Sequence, residues 1–344
     1  MSHLKSPDVP PDLIVSKTPL RVSFLGGGSD VPSFYKKMNG GVVSTAIDKF
    51  VFVTAKWRRD SKIRLVTHSE QLFSTWHKIS DPILRSVFQS LNWRGGVDVS
   101  IMSDVTSSGS GLGASSAVAV GLFNALVQLA GHFLEPNELA ARAAHAEMII
   151  AGREIGKQDA YPPAFGGLRH YRFLSNETVE CRGLDLSPDV QAELSSWLML
   201  LDSGYRRDAS KTLATQRVLV SPVARDEVLA RMVHLAEDLA LDLERSDLSN
   251  VGNYFDEAWH LKERLGALDG KPELAEIYNR AKRCGALGAK ILGAGGGGYF
   301  LFLAPPSAHA QLQDAFHSKA LHKVSIHSEG SRADKIDYSG VGAS

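Results

Sequence analysis

The sequence predicts an α+β fold in two lobes, and three observations lead there. The chain has 344 residues, more than the roughly 100–200 that one hydrophobic core serves. Strand-like alternation dominates as far as about residue 103, whereas helical periodicity dominates from Asp208 to about Cys284. A polar stretch, SNETVECRGLDLSPD, separates the two regimes near residues 175–195.

Taken in order, residues 1–16 read as a loose Pro- and Ser-containing arm, followed by a first domain over 17–185 and a second over 186–344. Strands are expected at Leu20–Leu25, Phe50–Trp57, Lys62–Thr67 and Val97–Met102, where apolar and β-branched residues alternate with polar ones. Ala114–Ala130, rich in Ala, Leu and Val, predicts a helix. Pro136–Ala151 predicts another, opened by a proline near its first turn. Strands follow at Leu168–Leu174 and Trp197–Leu201, and Asp226–Arg245 is a charged amphipathic helix. The chain ends with a strand Tyr299–Leu303, a helix near Ser307–Ser318 and a strand Lys323–His327.

Composition narrows the function classes. The 38 Lys+Arg balance 38 Asp+Glu, and the basic residues are interleaved with acids, which argues against a nucleic-acid surface. Cys181 and Cys284 form no CxxC pattern, so neither a disulfide framework nor a cysteine zinc site is indicated. The N-terminus lacks a signal h-region, and the apolar stretch around Ala117–Ala130 is shorter than a membrane span and interrupted by Asn124 and Gln128. A soluble, cytoplasmic protein without membrane partners is expected.

Glycine is concentrated in three windows, at 26–28, 109–113 and 293–298, which together hold 11 of the 31 glycines. The central window, SSGSGLGASSA, follows a strand and opens a helix. Its backbone N–H groups and the helix N-terminus suit phosphate oxygens, and Ser115 and Ser116 offer hydroxyls to a phosphate or to Mg²⁺, although a turn with Ser caps fits equally. A GxGxxA dinucleotide fingerprint can be read from Gly109 to Ala114, but Gln128 and Leu129 stand where its acid belongs. Gly156-Lys157-Gln158 has neither the spacing nor the hydroxyl of a Walker A loop. In the first window Asp30 is either a sugar-binding carboxylate or a turn residue, and the third reads as a tightly packed loop running into a strand.

In this order the windows resemble the three motifs of the GHMP kinase superfamily. Arg21 and Asp30 keep the nine-residue spacing of its first motif, GLGASSA at 111–117 is similar to the second, and ILGAGGGGYFLF at 291–302 to the third. Glu147 and Asp159, twelve apart in AHAEMIIAGREIGKQDAYPPAFGG, fall where the family carries its Mg²⁺ ligand and its base. The resemblance implies an N-terminal lobe with a mixed sheet and helices and a helix-rich C-terminal lobe with a ferredoxin-like antiparallel sheet. It also implies an ATP- and Mg²⁺-dependent kinase for a small-molecule sugar or sugar phosphate.

On this resemblance Asp159 is the base and Arg21 its partner. Ser108, Gly109, Gly111, Leu112, Gly113, Ala114, Ser115 and Ser116 hold ATP, and Glu147 with Ser115 or Ser116 holds Mg²⁺. Gly28, Ser29, Asp30, Gly296 and Gly297 face the acceptor, and Arg206 or Arg207 in GYRRDASK meets a distal phosphate. GGGSD and GKQDAY are similar to the branch with heptose 7-phosphate kinases and fucokinase-type enzymes. That branch implies transfer to the anomeric hydroxyl of D-glycero-D-manno-heptose 7-phosphate, for nucleotide-activated heptose of capsule or lipopolysaccharide. Fucose, galactose or a non-sugar alcohol is the alternative acceptor, and a silent sugar- or ATP-binding sensor the alternative class. Two departures stand out: the proline before the second motif is missing, and the usual QDQY is QDAY.

Overall fold

The computed structural model describes residues 13–105, 109–205, 220–268, 270–317 and 321–336. Its first sheet is mixed. Strands β1 (Leu13–Leu25) and β2 (Gly40–Trp57) form an antiparallel pair, β5 (Val97–Ser103) joins the second half of β2, and β3 (Ile63–Val66) lies parallel to β5 with β4 (Glu70–Phe73) outside it. The first half of β2 instead pairs with β6 (Leu168–Phe173), which carries β7 (Val179–Gly183).

β1 begins at Leu13, so residues 13–16, expected in the arm, belong to the sheet. Its outer edge is covered by β12 (Arg332–Ile336), which returns from the far end of the chain to pair with Leu13–Lys17. The buried hydroxyls of Ser16 and Thr18 meet Ser331 there, and Asn124 donates to Ser331 O and Oγ at 3.1 and 3.0 Å. The second half of the chain therefore contributes to the first lobe, and a cut at 185/186 does not follow the packing.

Helix α3 (Ala114–Leu129) is buried nearly all round, as its Ala, Leu and Val content requires, and lies against β1 and β2. Helix α4 (Pro136–His145) runs on into a π-helical turn, Ala146–Ile150, which replaces the last part of the expected helix and buries Glu147. Helices α1 (Pro32–Met38), α2 (Pro82–Ser90) and α5 (Tyr161–Phe165) complete this lobe.

The second sheet is antiparallel, in the order β11 (Leu321–Lys323), β8 (Leu198–Asp202), β10 (Tyr299–Leu303), β9 (Gly288–Ile291). The strand expected at Lys323–His327 thus ends where it was to begin. Beyond it the chain makes the isolated bridge Ile47 to Ile326. Helix α6 (Pro188–Ser196) precedes this sheet, and α7 (Pro222–Glu244), α8 (Val251–Arg264), α9 (Pro272–Arg283) and α10 (His309–Ala315) pack around it or bridge to the first. Phe255, Ala258 and Leu261 of α8 join the core of the first sheet, whereas Trp259 turns to the second core and stacks on Tyr278 at 4.4 Å. One helix with apolar residues on two faces thereby fuses the lobes. Both cysteines are free, and among the described residues no helix is long and apolar enough to cross a membrane.

Candidate active site

A cleft of about 1430 Å³ runs between the lobes. Its floor is set by β1, which carries Arg21 to the end of α3. There Arg21 N donates to Leu112 O at 3.1 Å, and Nη1 donates to Gly111 O at 2.5 Å. Helix α3 is capped by Gly113 in the left-handed conformation, with no side-chain cap bond among the described residues. Its N-terminus opens on the cleft, where Gly109, Ser110, Gly111, Gly113, Ala114 and Ser115 line the wall. The second and third glycine windows abut: Tyr299 N donates to Ser110 O at 2.8 Å, and a Cβ on Gly111, whose φ is +78°, would stand 2.7 Å from Leu292 O.

Asp159 sits in a short 3₁₀ turn, Lys157–Ala160, and meets Arg21 through Nε at 3.1 Å and Nη2 at 2.6 Å. Arg21 is 2% exposed, whereas a quarter of the Asp159 side chain, 26%, stays accessible to the cleft. Asp30 lies on the other side of the same turn. Its carboxylate accepts from Gly28 N at 3.0 Å, Gln158 N at 3.1 Å and Gln158 Nε2 at 2.8 Å. Burial and the nearby charge of Asp159 push its pKa upward, against the pull of the N–H donors.

Glu147 is fully buried and does not open on the cleft directly. It accepts a short hydrogen bond from Ser116 Oγ, and Arg153 Nη1 bridges Glu147 Oε1 at 3.1 Å and Ser115 Oγ at 2.9 Å. Burial raises the pKa of Glu147, while Ser116 and Arg153 oppose that rise. The oxygens of one carboxylate and one hydroxyl thus converge on a cation, here the guanidinium, with a second hydroxyl on the same carboxylate. This all-oxygen donor set suits Mg²⁺. Among the described residues no three Asp, Glu, His or Cys converge, so Glu147 with Ser115 and Ser116 are the residues that would hold such an ion.

Not every residue expected at the site faces it. Ser29 is buried, with its hydroxyl against Gly26 O at 2.8 Å and Gly41 O at 3.1 Å and accepting from Gly41 N, so it fixes the first glycine turn rather than meeting an acceptor. Leu112 is buried beneath its loop, its carbonyl accepting from Arg21 N and its own N–H donating to Ser110 Oγ at 3.3 Å. Gly296 and Gly297 also turn away: Gly296 N donates to Ala267 O at 2.7 Å and Lys271 Nζ to Gly296 O at 2.8 Å, while Gly297 packs on the Tyr205 carbonyl. Gly293 and Ala294 border the cleft instead. Ser108, Arg206 and Arg207 lie outside the described residues.

Sequence reading missed Gln158, Arg153 and two lysines. Lys290 of β9 is buried and crosses to β1, donating to Ser23 O at 2.7 Å and Phe24 O at 2.5 Å. Burial, with Lys262 and Arg21 nearby, holds its pKa well below the ordinary lysine range. Lys262 donates to Ile291 O at 3.0 Å and Gly293 O at 2.7 Å. The only sequence signal for these residues is adjacency: Gln158 precedes Asp159, and Lys290 precedes the third glycine window.

The GHMP kinases N terminal domain matches residues 78–167, and the GHMP kinases C terminal domain matches residues 239–323. The chain belongs to the GHMP kinase family. This kinase is 26% identical over 322 residues to the D-glycero-alpha-D-manno-heptose 7-phosphate kinase of Campylobacter jejuni, with 89% of this chain and 94% of the relative covered. It is also 27% identical over 292 residues to the mevalonate kinase of Pyrococcus horikoshii, over 84% of this chain and 80% of the relative. Its fold matches the crystal structure of a D-glycero-D-manno-heptose 1-phosphate kinase from Bacteriodes thetaiotaomicron with a TM-score of 0.77 and 20% identity, covering 94% and 99% of the two chains. The kinase is a phosphotransferase with an alcohol group as acceptor, and its family implies use of ATP.

Proposed function

We propose that this kinase transfers the γ-phosphoryl group of ATP to the anomeric hydroxyl of D-glycero-D-manno-heptose 7-phosphate, giving a 1,7-bisphosphate for nucleotide-activated heptose of capsule or lipopolysaccharide. The observation that carries the reading is the position of Asp159, between the Asp30 carboxylate on one side and the open end of α3 on the other. Acceptor and phosphate donor would meet at its accessible oxygen. The likeness to the Campylobacter jejuni enzyme along nearly its whole length supports the choice of acceptor.

Phosphoryl transfer asks mainly for positioning and charge neutralisation. The backbone N–H groups of Gly109, Gly111 and Gly113 and the first turn of α3 hold the nucleotide phosphates. Arg21 orients Asp159 through Nε and Nη2, and Asp159 takes the proton of the anomeric hydroxyl, a group more acidic than an ordinary alcohol. Asp30, held by Gln158, orients the sugar. Glu147, Ser115 and Ser116 would hold Mg²⁺, which when bound supplies charge neutralisation to the phosphates. A cytoplasmic location fits ATP as the donor.

Mevalonate is the second reading, because mevalonate kinases match the chain at the same level of identity. An ADP-release assay with Mg·ATP decides between them, run against free and phosphorylated heptoses, fucose, galactose and mevalonate with the product position read by NMR. Activity confined to mevalonate removes the heptose reading, and failure to consume ATP with every acceptor leaves a binding protein.

A further inference from the structure

The acceptor half of the cleft holds a cation that the chemistry above does not use. Arg225 stands in the first turn of α7, and its side chain is only 18% exposed. Its guanidinium makes no hydrogen bond to any described residue. The nearest carboxylate oxygen is Asp226 Oδ1 at 3.9 Å, and the other oxygen of Asp226 already takes Lys37 Nζ at 2.9 Å.

The register of α7 fixes where Arg225 reaches. Leu229, four residues on, packs so closely on the first glycine window that a Cβ on Gly28 would stand 3.1 Å from its Cδ2. Val233, four further, bears the same relation to Gly41, again at 3.1 Å from Cγ1. Residues four apart share a helix face. Arg225 is thus the next member of this stripe, one turn beyond the apolar contact, and it lines the cleft with Gly28, Asp30, Val31 and Ser33.

A guanidinium mostly withdrawn from water and without a hydrogen-bonding partner among the described residues is costly unless an anion completes it. Its planar fork fits the oxygens of a phosphate monoester. We infer that Arg225 reads a phosphate carried by the acceptor at the end remote from the hydroxyl that reacts. The inference rests on the reading that Asp30 and Asp159 face the acceptor, and it assigns the specificity for a phosphorylated sugar to one residue of the second lobe. The Ser33 hydroxyl, on the same wall, is a second donor to that phosphate.

The test compares wild type, Arg225→Gln and Arg225→Lys in the full chain, with saturating Mg·ATP and either D-glycero-D-manno-heptose 7-phosphate or the free heptose. Wild type is expected to prefer the phosphorylated sugar. Arg225→Gln should reduce that preference about 10- to 100-fold, through KM of the phosphorylated acceptor rather than kcat, and Arg225→Lys should recover part of it. Wild-type preference retained in Arg225→Gln overturns the role of Arg225 and leaves the heptose reading standing. A parallel rise in KM for ATP, with both sugars affected alike, shows a structural role and also overturns it. Wild type without preference for the 7-phosphate, or active on mevalonate alone, overturns Arg225 and the heptose 7-phosphate reading together.

Discussion

Arg21 binds Asp159 through one carboxylate oxygen only: Nε and Nη2 both donate to Oδ1, at 3.1 and 2.6 Å. The other oxygen, Oδ2, has no hydrogen-bond partner among the described residues. The ion pair therefore orients the carboxylate while leaving one oxygen for a proton. Asp159→Asn is expected to lower kcat about 10²- to 10⁴-fold, the range for loss of a general base, with KM for ATP retained. Near-normal turnover would mean that another group takes the proton.

Glu147→Gln keeps the volume of a fully buried side chain but removes the charge that Arg153 and Ser116 surround. The Mg²⁺ activation curve should move to higher concentration by at least the about 10- to 100-fold that loss of an outer-shell partner brings. Direct Mn²⁺ binding, followed by EPR without turnover, should weaken in parallel. An unchanged metal titration would exclude Glu147 as a ligand.

Gly156 leaves no room for a side chain. A Cβ there would fall 1.7 Å from Asp30 Oδ2, so Gly156→Ala must displace the carboxylate that Gln158 holds. Loss of about 10²-fold in acceptor kcat/KM is expected, as for a misplacement of about 1 Å, with a smaller effect on ATP. Equal loss for both substrates would show that the whole turn had moved.

Lys290→Met fills a similar volume but strips the Ser23 and Phe24 carbonyls of their shared donor between the lobes. Hydrogen bonds from charged groups contribute about 1.5–3 kcal/mol each, less what is regained by no longer burying an ammonium. A net loss of about 2 kcal/mol in urea unfolding is expected. No change in midpoint would show that desolvation cancels the bonds.

His170 of β6 is 5% exposed, and its Nε2 is buried without a hydrogen bond. Burial, aided by Arg182 and Arg172, lowers its pKa from 6.5 to about 4. The unfolded chain binds the proton first, so this contribution is complete above pH 6.5 and is lost as pH falls toward 4. At about 1.4 kcal/mol per pKa unit its upper bound is about 3 kcal/mol. His170→Gln should flatten the fall of wild-type stability between those pH values, as read from chemical unfolding. Parallel profiles would count against a neutral buried imidazole.

How much of this was readable beforehand differs from residue to residue. The glycine windows were visible because close backbone contact, such as Gly111 on Leu292, leaves glycine as the residue that fits. Ala114–Leu129 was visible because burial on all sides demands an apolar composition. β12 was not, since RADKI is largely exposed and is held by backbone pairing to β1. β7 lay hidden in the polar stretch taken for a boundary, for the same reason. Ser29, Leu112, Gly296 and Gly297 sit beside residues of the cleft, yet neighbours in the chain point opposite ways, and only the packed loop decides which. Arg153 and Lys290 act across long separations in the fold or between turns, where local pattern is silent.

The strand that closes the first sheet is also the last described element to leave the ribosome. Ser331 lies 315 residues from Ser16, yet their hydroxyls are 3.4 Å apart. Through most of synthesis no described strand covers the outer edge of β1 at Leu13–Lys17, and an open edge of this kind invites pairing with another nascent chain. Translation that stalls or stops before residue 336 would yield polypeptide with its phosphate loop and base already made but an adhesive flank, so such fragments should depend on chaperones for solubility while the finished chain does not.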